Sequence, residues 1–323
     1  MTGYESPFVV DGVDRWYSKA MVRVRDNVLS GPGWQDSYTL YNRVLTPYTQ
    51  HPLVERLGPD AILQLGAGRL ADYLAKTEIV EIEVVNRAVE GILKLPAISE
   101  EMRADLLKIY TDEGYHVLMM AEFRRHIQDE TGIWLARRPT RELASIAELV
   151  ESFPPEKRPL AVICCAIVTE TLITATLRQA GGDTVYPPVT RMLAEHAADE
   201  ARHHAFFHRF AELHLPPLIG SDTALVEEAF RRVLWYFLCP DFRRLRDDLV
   251  GQGLTVGQAD RVVDESFDRA DLREQFLAAS VAPRRLFASL GLEAGDAFAE
   301  QLNGLDHVSL LSLTTFERSR GAA

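Results

Sequence analysis

Two short segments of the chain carry the same metal-binding side chains at the same spacing. Residues 112–116 read DEGYH and residues 196–203 read HAADEARH, so both contain Asp-Glu-x-x-His. Residues three or four apart lie on one face of an α-helix, so the glutamate and histidine of each segment would point to one place. In the second segment, a histidine four residues before the glutamate joins that face. The spacing predicts metal binding by Glu113, His116, His196, Glu200 and His203.

Two more glutamates precede these segments at nearly equal distances. Glu81 lies 32 residues before Glu113, and Glu170 lies 30 residues before Glu200. Glu81 and Glu170 both have apolar neighbours at helical spacing, which indicates buried faces. Glu78 also lies on a largely apolar face, so the residues alone leave it as a rival to Glu81. The chain thus repeats one unit, a helix with a glutamate followed by a helix with Glu-x-x-His.

Four carboxylates in a helical core would repel one another and would be costly to remove from water. Two divalent cations would cancel that charge, and this ligand plan is that of the ferritin-like di-metal carboxylate bundles. Oxygen ligands with a few imidazoles suit iron or manganese, and a set without thiolates disfavours a zinc–cysteine site. Asp112 and Asp199 each precede a histidine by four residues. We expect both to accept a hydrogen bond from a ligand imidazole and to fix its orientation.

Long segments with apolar residues at helical spacing would position these side chains. Four of them cover about residues 69–95, 99–130, 153–180 and 187–215, with prolines or glycines at their ends. Shorter helices are predicted near residues 13–25 and over about 221–251, 255–269 and 271–290. The predicted fold is all-α: one domain over residues 1–323, with a ferritin-like four-helix bundle at about 59–217 and accessory helices at the N-terminus and over 221–316.

The composition narrows the class of protein. Lys and Arg number 35 against 47 Asp and Glu, a net charge of −12, and this acidity argues against a nucleic-acid partner. The longest apolar run, residues 160–168, is too short for a membrane span, which needs about 20 residues. The N-terminus lacks the pattern of a signal peptide. Three cysteines, two of them adjacent, make a poor disulfide framework, so we expect a reducing, cytoplasmic location.

Four stretches of the sequence together resemble the p-aminobenzoate N-oxygenase family of di-iron arylamine oxygenases. They are YLAKTEIVE (73–81), DEGYH (112–116), CAIVTETLI (165–173) and HAADEARH (196–203). The resemblance selects Glu81 over Glu78, because Glu81 stands eight residues after Tyr73. It covers roughly residues 51–215 well and continues more weakly into the C-terminal helices around Arg284.

The resemblance implies two iron ions held by four glutamates and three histidines, with His196 as the ligand that most ferritin-like oxygenases lack. It implies O2 as co-substrate and an external electron donor or reductase. An amine nitrogen would be oxidised through hydroxylamine and nitroso stages to nitro, in natural-product (antibiotic) biosynthesis. No catalytic side chain beyond the metal centre is expected. Helix geometry would turn Tyr73 and Thr174 toward a substrate pocket, and Arg284 could pair with a substrate carboxylate.

The sequence leaves several alternatives open. The same ligands would serve a di-iron hydroxylase or desaturase that acts on carbon of a small-molecule or carrier-bound substrate. They would also serve a non-catalytic ferritin-like iron protein. Ligand types permit manganese in place of iron, and the chain could form a homodimer.

Overall fold

The computed structural model of the protein describes residues 15–24, 29, 31–96, 98–138, 141–305 and 309–313. The side chains of residues 24, 142, 143, 174–176, 178 and 179 lie outside that description. Over the described residues the regular structure is helical, and pairing between extended segments is limited to one bridge between Thr39 and Val185. The prediction of an all-α fold is confirmed.

Four long helical segments are preceded and followed along the chain by shorter helices. The N-terminal helices are α1 (Trp16–Lys19), α2 (Met21–Val24) and α3 (Pro52–Glu55). The long segments are α4 (Pro59–Val80) with a π-helical turn (Glu81–Asn86) and α5 (Arg87–Leu93), then α6 (Glu100–Thr131), α8 (Arg158–Ala180) and α9 (Pro187–Ile219), with α7 (Arg141–Ser152) between α6 and α8. The C-terminal helices are α10 (Thr223–Leu238), α11 (Phe242–Gly251), α12 (Val256–Ser266), α13 (Arg269–Ala279), α14 (Val281–Ser289) and α15 (Ala294–Leu302).

Local sequence explains where several of these helices begin and end. The Ser99 side chain accepts a hydrogen bond from the Met102 amide at the start of α6, and Gly132 ends that helix in the left-handed region at φ 72°. Proline occupies the first turn of α4 and of α9, where its missing N–H has no helical partner to lose. The first long helix begins ten residues earlier than predicted, at Pro59 instead of Arg69, because Gly58 and Pro59 form its start.

The first long helix contains one wider turn that the sequence did not predict. Residues 81–86 form a π-helical turn between α4 and α5, and the backbone at Glu81 and Arg87 keeps right-handed helical angles. A π turn inserts one extra residue and rotates the side chains that follow it relative to those before it. The helix therefore continues without a break, but the side chains after the π turn are rotated relative to those of α4.

Proline and a short loop account for other boundaries that were predicted wrongly. Helix α9 continues through Pro216 and Pro217 to Ile219, because proline fits helical φ and the two residues affect only its last turn. The helix expected over 221–251 is divided before Phe242 by Pro240, and the one expected over 271–290 is divided at Ser280. Helix α7 was not predicted at all.

Helix α8 lies at the centre of the apolar core. Every residue from 161 to 173 is buried, including Glu170 in the last third of that run. The larger apolar cluster joins α8 to residues of α4, α6, α9 and the C-terminal helices, and a second cluster packs α4, α6 and α9 against residues 38–45. The single-domain organisation, with its bundle at 59–217, stays a prediction. Among the described helices, none combines the length and apolar character that a bilayer crossing requires.

Candidate metal centre

Side chains from four helical segments meet at one buried place in the bundle. The π turn supplies one glutamate, α8 supplies another, and the two Asp-Glu-x-x-His segments lie on α6 and α9. The side chains are all at most 1% exposed. They are the seven residues predicted as ligands: Glu81, Glu113, His116, Glu170, His196, Glu200 and His203.

The seven side chains form two adjoining groups, each with four potential ligand atoms within 4.8 Å of one another. The first group contains two imidazoles and two carboxylates, and the second contains one imidazole and three carboxylates. Glu200 belongs to both groups and therefore lies between them. The members are Glu81, His116, His196 and Glu200 in the first group, and Glu113, Glu170, Glu200 and His203 in the second.

Each histidine turns one ring nitrogen toward the carboxylates. His116 Nδ1 lies 3.3 Å from Glu200 Oε1, and His203 Nδ1 lies 3.0 Å from Glu113 Oε1. His196 presents the opposite nitrogen, since its Nε2 lies 3.0 Å from Glu81 Oε1. These distances place each inner nitrogen close to a point that a metal ion could share with the carboxylate oxygens.

The outer nitrogens of the three histidines have separate partners. His116 Nε2 lies 3.1 Å from Asp199 Oδ2, and His203 Nε2 lies 3.2 Å from Asp112 Oδ2. Each aspartate thus contacts the histidine of the other Asp-Glu-x-x-His helix, an exchange between α6 and α9 that the sequence did not specify. The third pair is His196 Nδ1 and the Tyr73 hydroxyl, at 2.8 Å. Such outer contacts fix which nitrogen of each ring is available to a metal.

Many inner atoms of the cluster have no hydrogen bond although they are buried. Both oxygens of Glu113 and of Glu200 are in this position, as are one oxygen each of Glu81 and Glu170. The inner Nδ1 atoms of two histidines are as well. Native proteins rarely leave buried polar atoms unpaired, and such groups call for a water, an ion or a functional role. Lone pairs aimed at shared points, on oxygen and imidazole donors, fit two metal ions.

The pKa directions show how strongly the site attracts positive charge. Burial raises the pKa of Glu170 well above its usual range, and the negative charges of Glu200 and Glu113 add to the effect. Burial alone would lower the pKa of His203, but its contacts with carboxylates outweigh burial and raise that pKa well above the usual range. Burial would raise the pKa of Glu200, yet the surrounding imidazoles hold it well below. These directions share one cause, since the buried cluster favours positive charge beside its carboxylates.

Glu78, the rival to Glu81, occupies a different environment. Its carboxylate lies 3.1 Å from Arg124 Nε and 3.2 Å from Arg137 Nε, and it belongs to neither group of potential ligands. The structure thus brings Glu81 to the cluster and directs Glu78 to two arginines. The residue pattern could not separate them, because both glutamates are buried on one helix.

The residues predicted for a substrate pocket have three different outcomes. The Tyr73 hydroxyl is hydrogen-bonded to the outer nitrogen of His196, Nδ1. The Thr174 backbone lies in α8, and its side chain is outside the described part of the chain. Arg284 lies on α14, where its Nε donates a hydrogen bond to the Gly295 carbonyl of α15. A pocket formed by these three residues stays a prediction.

Comparison with known families adds to this geometry. The family model described as p-aminobenzoate N-oxygenase AurF matches residues 34–291 of the chain. The chain belongs to the p-aminobenzoate N-oxygenase family. No curated protein matches the chain significantly. Membership in the N-oxygenase family confirms the ferritin-like di-iron bundle as its fold and places the chain in a family of oxygenase enzymes. Its two buried groups of glutamates and histidines are compatible with the two-metal site of p-aminobenzoate N-oxygenases.

Three residues beside the site were missed by sequence reasoning. The indole of Trp16 and the amide of Met21 each donate a hydrogen bond to an aspartate of the Asp-Glu-x-x-His segments, Asp112 and Asp199 respectively, and Arg202 contacts Asp199 as well. Trp16 stands 96 residues from its partner and Met21 stands 178 residues from its own. No local pattern connects positions so far apart, so nothing in the sequence could have found the first two.

Proposed function

We propose that the protein is a di-iron N-oxygenase that uses O2 to oxidise the amine nitrogen of an arylamine in natural-product biosynthesis. The observation that carries the proposal is the pair of buried groups with unpaired inner atoms, in a chain of the p-aminobenzoate N-oxygenase family. The first group would hold one iron and the second group the other, with Glu200 between them. Manganese is compatible with the same donors.

The iron pair, when bound, would supply the reduction of O2 and the delivery of oxygen to the substrate. In the first oxidation, one oxygen atom becomes bonded to the amine nitrogen as a hydroxylamine and the other leaves as water. Two electrons and two protons balance that step, and an external donor or reductase would supply the electrons. Further oxidations of the same nitrogen would lead to the nitroso and nitro stages.

The chain's own residues would hold the donors in place and keep water out. Asp112, Asp199 and Tyr73 would orient the three imidazoles, and neutral imidazoles with a proton on the outer nitrogen present a lone pair inward. The buried run of α8 would surround Glu170 with apolar side chains. No protein nucleophile is needed for this reaction. Substrate contacts by Tyr73, Thr174 and Arg284 belong to the proposal, as does the use of a separate electron donor.

Product analysis with labelled oxygen tests the proposed reaction. The protein would be loaded anaerobically with Fe2+, given a chemical reductant, and exposed to 18O2 with p-aminobenzoate and other arylamines. We expect a product that has gained 18O on nitrogen, as measured by mass spectrometry. An 18O-labelled C–OH with an intact amine would instead identify a carbon hydroxylase. Iron oxidation with mineral formation, and no organic product, would identify an iron-storage protein.

Substitution of His196 tests the seven-ligand site. His196→Ala removes the second imidazole of the first group, so we expect loss of metal occupancy or of O2 reactivity with nearly normal helical content. His204→Ala is the matched control, because His204 lies on the same helix, stacks on His208 and belongs to neither group. Unchanged iron content and turnover in His196→Ala would show that the assignment of His196 is wrong.

A further inference from the structure

We propose that the segment from Trp16 to Met21 is an N-terminal strap that positions two histidines of the metal centre. The proposal rests on the two-metal site of the proposed function. The N-terminal strap lies outside residues 34–291, so the family match carries no information about it. Its two hydrogen bonds reach the two aspartates that contact the histidines of α6 and α9.

The first hydrogen bond comes from a side chain. The Trp16 indole Nε1 donates to Asp112 Oδ1 at 2.8 Å, and the other oxygen of Asp112 lies 3.2 Å from His203 Nε2. The carboxylate is therefore held at one oxygen by the indole and holds the imidazole with the other. Trp16 acts on His203 through Asp112, which makes it a positioning residue.

The second hydrogen bond comes from the backbone. The Met21 amide donates to Asp199 Oδ2 at 3.2 Å, and the same oxygen lies 3.1 Å from His116 Nε2. Asp199 also contacts Arg202, three residues later on its own helix. The corresponding position of α6, three residues after Asp112, is Tyr115. Asp199 thus has a nitrogen donor, Arg202, on its own helix, whereas Asp112 receives its nitrogen donor from Trp16 of the N-terminal strap.

Packing keeps the N-terminal strap against both helices. Helix α2 contacts α6 and α9, and Ala20 and Met21 are buried at 0% and 6% exposure. The two aspartates beneath are each 1% exposed, whereas Tyr17 is 68% exposed on the outer side. Because the N-terminal strap covers the aspartates, water has little access to compete for their bonds with the imidazoles. Hydrogen bonds are stronger where water is excluded.

A titration with Co2+, whose visible spectrum depends on its ligands, measures this positioning without relying on turnover. Trp16→Phe removes the indole N–H while keeping an aromatic ring. We expect it to weaken one of the two Co2+ equivalents, the one that includes His203, by about 10-fold and to change its spectrum. Tyr17→Phe is the matched control on the same helix and should bind both equivalents like the wild type.

Removal of the Met21 amide tests the second bond independently. Met21→Pro deletes this N–H at the first position of α2, where proline is tolerated, and Ala20 already has the extended backbone that proline requires of its predecessor. We expect it to weaken the other Co2+ equivalent, the one that includes His116. Met21→Ala shortens the side chain but keeps the amide, so it should retain that equivalent.

The pattern of effects distinguishes the possible failures. Unchanged Co2+ binding in Trp16→Phe would overturn the proposal, and so would an equal loss at both equivalents accompanied by lower thermal stability. A wild-type protein that binds no Co2+ would overturn the metal centre and the proposal together. Normal, variant-sensitive Co2+ binding in a protein that oxidises no amine would leave the N-terminal strap supported and reject the proposed reaction alone.

Discussion

Two buried glutamates on the first long helix, Glu78 and Glu81, have their negative charge neutralised in different ways. Glu78 contacts Arg124 and Arg137, both within 3.2 Å. Glu81, three residues later, faces the imidazoles of His116 and His196. Among the described residues, no ion pair connects a lysine or arginine to any of the seven cluster side chains. The positive charge is therefore built into the protein around Glu78, and around Glu81 it must come from protons or metal ions.

A second arginine-balanced group lies less than two turns before Glu78. Asp72 lies 2.9 Å from Arg244 and 3.4 Å from Arg138, and Arg138 also pairs with Asp248. The first long helical segment, α4 with the π turn that follows it, therefore carries carboxylates of two kinds within three turns. Burial of a carboxylate therefore does not by itself indicate a functional site. The arginine-paired carboxylates and those of the metal centre differ in the source of the positive charge that compensates them.

Loss of the shared carboxylate should have the largest effect. Glu200→Gln removes the one residue that belongs to both groups, so we expect it to lower the affinity for both metal ions and to reduce turnover by more than about 100-fold. Metal analysis and product assays measure these effects. The matched control is Glu212→Gln, an exposed glutamate of the same helix. A variant that still bound two metal ions would contradict the assignment of Glu200 to both groups.

Metal binding should stabilise the fold, because the ions neutralise charge that the chain leaves unbalanced. At a free metal concentration 1,000 times the dissociation constant, each site should add about 4 kcal/mol to the free energy of unfolding. Urea denaturation with and without Fe2+, under anaerobic conditions, measures the gain. Glu200→Gln provides the control, since its gain should largely disappear. Equal stability of the wild type with and without metal would mean that the cluster does not hold ions.

The stability of the group around Glu78 should depend on its arginines and not on added metal. Arg124→Met leaves the buried Glu78 without its nearer cation, and we expect a loss of about 3–5 kcal/mol in the free energy of unfolding, whether metal is present or not. Glu170→Gln, in the metal-free protein, should cost little or stabilise, because burial and the charges of Glu200 and Glu113 already raise the pKa of Glu170 and disfavour its charged form, and glutamine is neutral. Chemical denaturation compares the two variants. Equal losses would show that the two kinds of cluster do not differ.

The sequence predicted much of this centre because the ligands repeat at local spacing. The spacing of Glu113 and His116 on α6 and of Glu200 and His203 on α9 follows directly from helix geometry. Four helices, their order and an all-α class also follow from apolar periodicity. Apolar spacing did not separate Glu81 from Glu78, since both lie on buried faces of the same long helix.

Contacts between distant parts of the chain account for what the sequence did not predict. The exchange of aspartate partners between α6 and α9 depends on how those helices meet, and hydrogen bonds from the N-terminal strap cross 96 and 178 residues. The helix break at Ser280 and the continuation of α9 through Pro217 were also predicted wrongly, because apolar spacing does not fix the residue at which a helix ends. Residue spacing predicts which side chains share a face of one helix, whereas the aspartate exchange and the bonds of the N-terminal strap connect different helices.

The smallest expected effect concerns pH and the Asp72 carboxylate. Burial, which outweighs the attraction of Arg244 and Arg138, raises the pKa of Asp72 from 3.8 to about 6. The folded protein then binds this proton more tightly than the unfolded chain does. The resulting stabilisation is complete below pH 3.8 and is lost as the pH rises through about 6. At neutral pH the charged Asp72 carboxylate would therefore lower the stability of the folded protein although two arginines lie beside it.

Asp72→Asn removes this titration, so its stability relative to the wild type should increase between about pH 4.5 and about pH 7. We expect a change of about 1–3 kcal/mol, because each pKa unit corresponds to about 1.4 kcal/mol. Urea denaturation of both metal-free proteins at the two pH values measures the difference, and Glu83→Gln, which removes an exposed carboxylate of the same helix, is the control. A pH-independent difference would mean that Arg138 and Arg244 balance Asp72 fully, and the contrast with the metal centre would then be sharper than the pKa of Asp72 implies.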